Sequence, residues 1–463
     1  MWGIKINKFV SLSIVFLIFT LGSSNGTAIE ILVQPGESIQ AAVNNTSSGD
    51  LIIVKPGNYS ENIIIGTPNL TVRSESGNPE NTIVSANNPS VNVFHIRANN
   101  VTINGFKLRS AQYAEVTGIY LAGCSRCTIS NNDLSENYLG MYLSNSKNNM
   151  ITDNKMSLNE KYGIQLMHSE GNILSNNSAS SSHHGIVLEN NCSDNNLTGN
   201  TASLNAGYGF YFINSSSNNL NNNTISRNDM GIYLTNSNLN IISGNNILEN
   251  IRYGMWISHS NYSIISGNTI NKNNLGIRLN SSDNSTLSGN ILVFNYISGL
   301  SMCPACDNNT MFNNYLNNTL NVEVGNRRNA WNMEKKAGVN IVGGPYLGGN
   351  FWANPIGTGF SQTAQDRDEN GIADIKYNET NITDNLPLVP VSYPQQKALP
   401  LANSSTDLTN SSTDLTNSNI VFTNSSTNRT NLSTGLTDVT ASKIVNTSVS
   451  AKNSPIDDNY GTD

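Results

Sequence analysis

One internal repeat constrains this chain more than any other feature. A glycine followed by an apolar, an outward and a second apolar residue recurs as Gly118-Ile-Tyr-Leu, Gly140-Met-Tyr-Leu, Gly163-Ile-Gln-Leu, Gly185-Ile-Val-Leu, Gly209-Phe-Tyr-Phe, Gly231-Ile-Tyr-Leu, Gly254-Met-Trp-Ile, Gly276-Ile-Arg-Leu and Gly299-Leu-Ser-Met, at spacings of 22 to 24 residues. A second marker keeps the same period: an apolar residue three positions before an Asn, from Ile129/Asn132 through Leu220/Asn223 to Met311/Asn314. Within each unit, short period-2 runs are broken by Asn, Gly and Ser, which is strand-and-turn chemistry. A unit this short cannot bury a face alone, so successive units must stack. The expected architecture is all-β: a parallel β-helix whose coils rise by one strand spacing, about 4.8 Å. Equivalent side chains then lie above one another, and the Asn markers form a hydrogen-bonded ladder along the axis.

Composition agrees. Asn accounts for 81 of 463 residues, and only 12% of residues are charged. That is not the Ala/Glu/Lys/Leu usage of a coiled coil. A net charge of -7 without Lys/Arg blocks argues against a nucleic-acid partner.

The ends read differently. Lys5 and Lys8 precede an apolar run from Phe9 to Leu21 and then small residues, so residues 1–28 are expected to be a secretory signal peptide. Residues 29–325 are assigned to the β-helix. Its less regular first coils include Leu51-Ile-Ile-Val, Asn62-Ile-Ile-Ile and Leu70-Thr-Val, and Ser38 to Val43 form a capping helix over the open sheet edge. Residues 326–394 form a small C-terminal cap. Residues 395–463 are a Ser/Thr/Asn-rich tail, expected to be disordered, with a tandem heptad from Asn403 to Thr416. Its sequons at Asn403, Asn410, Asn424, Asn428, Asn431 and Asn446 are candidate glycosylation sites. No stretch after the signal is long and apolar enough to be a transmembrane helix, so the expected location is secreted or at the extracellular cell surface.

The opening Gly36-Glu-Ser-Ile-Gln-Ala-Ala and Asp50-Leu-Ile-Ile-Val-Lys-Pro-Gly-Asn-Tyr resemble the start of pectin-lyase-like right-handed β-helix proteins. The repeat is similar to that of the NosD-type, carbohydrate-binding and sugar-hydrolase β-helix family. The block Asn340-Ile-Val-Gly-Gly-Pro-Tyr-Leu-Gly-Gly-Asn-Phe-Trp resembles a module that follows such helices in methanogen-type archaeal cell-surface proteins. Together the resemblance spans roughly residues 29–390. It implies a right-handed solenoid. The family's functions range over lyases, hydrolases, epimerases, copper-site maturation factors and non-enzymatic surface proteins.

The residue between the two inward apolar positions should point outward. Stacking these gives an external column containing Tyr120, Tyr142, Tyr211, Tyr233 and Trp256, flanked by a second through Tyr162, His184, Tyr208 and Tyr253. An aromatic stripe suits stacking on sugar rings, which makes these five residues the candidate carbohydrate-binding set, with polysaccharide or another envelope component as partner. A stabilising ladder, or a face covered by another subunit, would leave the same pattern. No paired acids of the kind glycosidic cleavage needs stand out, so the reading leans away from an enzyme; a polysaccharide lyase, hydrolase or epimerase is the alternative. Arg227, Glu249 and Lys272 read as an alternating surface ladder, and His168 and His259 as turn substitutes for Asn. No Met/His/Cys cluster supports the copper-maturation alternative. Cys124/Cys127 and Cys303/Cys306 lie eight coils apart, about 38 Å, too far to share a zinc ion, so each pair is a candidate local disulfide. Finally, Asp366-Arg-Asp-Glu-Asn-Gly-Ile-Ala-Asp374 has the spacing of a calcium loop, with Asp366, Asp368, Asn370, the Ile372 carbonyl and Asp374 as ligands; Tyr377 stands where the bidentate Glu would be, with Glu379 nearby. Trp331, Tyr346, Phe351 and Trp352 are expected to pack over the end of the coil.

Overall fold

A computed structural model describes residues 28–325 and 328–391. The expected signal segment and tail fall almost wholly outside them. The chain winds as a right-handed parallel β-helix of three sheets. A 13-stranded sheet runs from Glu30–Val33 to Thr310–Phe312, and a 12-stranded sheet from Ile63–Ile65 to Val322–Val324. The third begins as three strands over Gly57–Ser60, Thr82–Ser85 and Lys107–Arg109. It continues through single bridges from Lys107 to Asp133, Lys155, Ser178 and Thr201 into seven strands that end at Phe351–Ala353. Neighbouring strands within these sheets come from successive coils and pair in parallel with equivalent residues in register, for example Ile232↔Met255 and Leu234↔Ile257.

The repeat glycine is set by packing rather than by backbone twist. It sits one residue into each long strand, where a Cβ built on Gly140 would lie 2.5 Å from the carbonyl oxygen of Gly163 and one on Gly254 2.6 Å from that of Gly276. The apolar residues on either side of the outward position, such as Ile232 and Leu234, are fully buried and fill the coil.

The Asn markers line the inside of a corner. From Asn132 through Asn154, Asn177, Asn200, Asn223, Asn245, Asn268, Asn290 and Asn314 to Asn350, each side-chain oxygen accepts the backbone N–H of the equivalent residue one coil earlier. Each amide group donates in turn, as when Asn245 Nδ2 reaches Leu220 O and Asn268 Oδ1, both at 2.9 Å. These Asn are almost wholly buried, and the ladder supplies the partners that buried corner amides require. A second ladder runs from Asn205 through Asn228, Asn250 and Asn273 to Asn295.

Both ends are covered. Helix Ile39–Asn44 starts at Ser38, whose hydroxyl accepts from Ala41 N, while the Glu61 carboxylate takes the amides of Ile39 and Gln40; Ile39, Ala42 and Val43 are buried on the first coils. At the other end, Trp331, Phe351 and Trp352 are buried, and Trp352 stacks on Tyr377 with centroids 4.2 Å apart. The buried Asp384 accepts from Asn350 N and Trp352 Nε1, both at 2.8 Å, and so pins the cap to the last Asn of the ladder.

Candidate functional site

The 12-stranded sheet carries the aromatic residues on its outer surface, in the register the sequence suggests. Tyr120 pairs with Tyr142, then Gln165 and Val187, then Tyr211, Tyr233, Trp256, Arg278, Ser301 and Glu323. The rings stack along the axis: Tyr120 on Tyr142 at 5.1 Å, Tyr211 on Tyr233 at 5.2 Å, and Tyr233 on Trp256 at 4.9 Å between centroids. Such separations are those of offset stacking, so the rings overlap like shingles and each leaves part of its face uncovered. All five candidate residues are half-buried.

Gln165 and Val187 interrupt the column, and both are buried there (8% and 0% exposed). The flanking column bridges the gap. Tyr162 stacks on His184, and His184 on Tyr208, whose ring meets Tyr211 and Tyr233 edge-on. His184 Nδ1 accepts from Tyr208 N at 2.9 Å, which fixes the ring as a neutral rung; burial, with His183 beside it, pushes its pKa down to about 3. Burial likewise pushes the Tyr162 phenol up to about 12 and raises Tyr142, Tyr208 and Tyr211. The face is therefore a set of neutral rings edged by phenol hydroxyls.

Charge on this face is sparse. Glu189 accepts from Gln165 Nε2 at 3.0 Å. Glu323 lies six strands further on from that coil, roughly 29 Å. Glycosidase carboxylates work about 5–9.5 Å apart, so these two cannot act as a pair. Asp229 is engaged by Arg252 through its Nε at 2.7 Å. Arg227 and Glu249 form the expected surface pair at 2.9 Å, with Lys272 one coil beyond.

Neither candidate cysteine pair is joined as a disulfide in the structure. The reason for the first pair is positional. Cys124 and Cys127 begin inward ladders that continue as Ser146 and Asn149, whose side chains accept their backbone amides. Their own sulfurs donate inward, to Ile96 O and Ala98 O. Cys192 is a rung of the same serine ladder, between Ser169 and Ser215. Cys303 and Cys306 sulfurs lie 2.9 Å apart, in thiol contact rather than at a bonded distance of about 2.05 Å. His168 and His259 occupy left-handed corner positions equivalent to Asn145, Asn190 and Asn236.

In the C-terminal loop, ligand atoms of Asp366, Asp368 and Asp374 come within 4.8 Å of one another. Gly371 makes the turn at φ +80°. Asp366 accepts from the amides of Asn370 and Gly371, and Asp368 from Asn370 Nδ2. Hydrogen bonds from Asn370 and Asp366 hold the Asp368 carboxyl below its ordinary range. Tyr377 is buried in the aromatic stack, and Glu379 lies outside the three-carboxylate group, hydrogen-bonding Tyr377 instead.

Comparison with known proteins places this architecture. Residues 91–247 match the family model for a right-handed β-helix region, and residues 205–357 the model described as periplasmic copper-binding protein (NosD). A cell surface glycoprotein of Methanothermus fervidus is 30% identical over 137 residues, 28% of this chain and 22% of that protein, so the chain spans about a fifth of this relative's length. Among solved structures, DFA-IIIase from Arthrobacter chlorophenolicus in complex with GF2 matches with a TM-score of 0.52 at 14% identity, covering 63% of this chain and 89% of the other; its lidless form matches equally well, at 15% identity over 65% and 98%. At such identity these structures establish the fold alone. The molecule is a right-handed parallel β-helix protein. Residues 205–357 are similar to the NosD family, whose model covers about a third of the chain. The copper in that family's description does not fit the donors present: among the described residues the one group of three or more His, Cys, Asp or Glu is the all-oxygen Asp366/Asp368/Asp374 set, and oxygen ligands suit hard cations. Among the described residues no helix is long and apolar enough to cross a membrane.

Proposed function

We propose that this is a non-enzymatic protein of the cell exterior, displayed at the surface or secreted, which binds envelope glycan along the aromatic face of its 12-stranded sheet. The observation that carries the reading is the shingled series Tyr211–Tyr233–Trp256, edged by Tyr208 and Tyr253. It offers partly open, neutral ring faces at a repeat of about 5 Å, with phenol groups for hydroxyl partners. The match to a cell surface glycoprotein supports the location. Calcium occupies the 366–374 loop in this proposal and stiffens the cap.

The test is a glycan-array assay on the full secreted chain, with calcium and with chelator, repeated on the Tyr211→Ala/Tyr233→Ala/Trp256→Ala variant. Binding that disappears in a still-folded variant supports the proposal. Retained binding moves the site elsewhere, and failure to bind any polysaccharide leaves an architectural envelope role. For the cation, calorimetric titration should show one calcium site that Asp366→Asn/Asp374→Asn removes; no heat in the native chain would end that part of the proposal.

A further inference from the structure

The outer surface of the 13-stranded sheet carries a column that reads the same from either end. The ten strands from Thr102–Asn104 to Thr310–Phe312 pair in register throughout, so their first residues line up along the axis on the outside of the coil. The centre of this column is Met150, Ile173, Asn196, Asn219, Ile241 and Ile264, with two threonines before it and two after. About the midpoint between Asn196 and Asn219, Asn mirrors Asn, Ile173 mirrors Ile241, Met150 mirrors Ile264 and threonine mirrors threonine. Met150, Ile173, Ile241 and Ile264 are each 41% to 46% exposed. No charged residue stands in the column over these ten strands, nor in the outward column two residues on, which is mostly Ser, Thr and Asn. At the midpoint, Asn219 Oδ1 is shielded and has no donor. Asn196 Oδ1 takes the Thr198 hydroxyl at 2.8 Å, which leaves its amide N–H groups to donate elsewhere.

Mirror order over ten coils does nothing for the coil itself, where each turn touches only its neighbours. It is what an isologous interface needs, because a two-fold axis lays one patch on a second copy of itself. We infer that two copies of this chain pair through the outer face of the 13-stranded sheet with their solenoid axes antiparallel. The two-fold lies along the strand direction, between the coils of Asn196 and Asn219. Rotation about it keeps the strand direction and reverses the order of the coils, so the column meets itself. Ile173 then lies against Ile241 of the partner subunit and Met150 against Ile264 of the partner subunit, which removes the exposed apolar surface from water. Asn196 lies beside Asn219 of the partner subunit, and a turn of that amide gives its oxygen the donor it lacks. The corners two residues before each strand agree with this register. Leu239 and Tyr262, more than half exposed at left-handed positions, come opposite the smaller Gly171 and Asn148 of the partner subunit. Arg126 and Asp194 come opposite Asn284 and Ser217 of the partner subunit, so no like charges meet. The patch spans nine strand spacings, roughly 43 Å, by about five residues of corner and strand, roughly 16 Å. That is on the order of 700 Å² per copy, close to the roughly 800 Å² of a standard stable interface. The aromatic face belongs to the 12-stranded sheet and takes no part, so the pairing is independent of the glycan reading.

The experiment is sedimentation velocity of the full chain over a concentration series, for the wild type, Ile173→Lys, Ile241→Glu and the two substitutions combined. The wild type should form a concentration-dependent dimer. Each single variant sets a charge against an apolar residue at two symmetric places, and should raise the dimer dissociation constant by on the order of tenfold or more. In the combined variant the two-fold brings opposite charges together at both places, so the dimer should return. The two positions lie three coils apart within one chain, roughly 14 Å, so an intramolecular pair cannot account for that recovery. Ile241→Asn is the folding control, since the column already accepts Asn at Asn196 and Asn219; it should weaken the dimer without moving the unfolding midpoint of the monomer. A wild type that stays monomeric at every concentration, or forms an assembly other than a dimer, overturns the inference and leaves this face to another occupant. A dimer that neither single variant weakens places the interface elsewhere. Loss in both single variants without recovery in the combined one overturns the antiparallel register.

Discussion

Replacing Asn245 with Ala tests whether the amide ladder, rather than the apolar filling alone, holds the coils in register. Four hydrogen bonds depend on this side chain. Its amide donates to Leu220 O and Asn268 Oδ1, and its oxygen accepts from the backbone and side-chain nitrogens of Asn223, each at 2.9 Å. Truncation removes all four and leaves the buried Asn223 backbone N–H with no acceptor. At about 0.5–1.5 kcal/mol net per bond, and about 1–3 kcal/mol for an orphaned donor, the loss is about 4 kcal/mol. Asn245→Asp should cost more. It keeps the acceptor but turns a carboxylate oxygen toward Leu220 O and Asn268 Oδ1, adding a buried charge. Asn222→Gly is the control: Asn222 is exposed at a left-handed corner (φ 54°), where glycine is at ease, and should change stability by less than about 0.5 kcal/mol. Guanidinium unfolding of the full chain by circular dichroism gives the values. Because each coil touches only its neighbours, amide exchange should also quicken first on the coils flanking Asn245. A loss below about 1 kcal/mol for Asn245→Ala, or an Asp variant no worse than the Ala variant, would refute the argument.

Three further outcomes follow from the packing. Gly254→Ala should destabilise by about 2 kcal/mol or more in the same unfolding assay, since its Cβ meets Gly276 O at 2.6 Å and Ile270 Cγ2 at 2.9 Å, and backbone cannot give way cheaply. Cys192→Ser should cost less than about 1 kcal/mol by the same measurement, because Ser is the usual residue of its ladder; in the native chain a thiol reagent should reach the half-buried Cys303 well before Cys124, Cys127 or Cys192. Burial pushes Asp384 up to about 6, against about 3.9 in an unfolded chain. The native state then holds a proton that the unfolded state has released between about pH 4 and 6, so this group's contribution falls as pH rises through that window, by about 3 kcal/mol, and is level above it. Unfolding midpoints across that range should show the slope in the wild type and lose it in Asp384→Asn.

The coil was legible because its constraints are periodic. Gly254 and Asn245 recur every 22 to 24 residues, since a Cβ clash and an unpaired corner amide recur on every turn. The outward Tyr211–Tyr233–Trp256 series followed from strand alternation once that period was known. The serine–cysteine ladder was readable by the same arithmetic, with Cys124 one period before Ser146 and Cys192 one period after Ser169, but the CxxC spacing drew attention to pairing within the loop instead. The flanking Tyr162–His184–Tyr208 column followed from the same period, but its spacing does not reveal that the His184 ring accepts from Tyr208 N and stays neutral. Asn350 continues the Asn ladder 36 residues after Asn314, so the break in period hid it.

The central claim is that sugar contacts the outer aromatic face. Trp256 reports on it directly, since Trp331 and Trp352 are buried in the cap and Trp2 falls in the expected signal peptide. Titrating the full chain with a bound polysaccharide, while following tryptophan emission and acrylamide quenching, should give a saturable blue shift and protection from quencher that vanish in Trp256→Phe. Saturable binding with no change in the Trp256 signal would contradict the account.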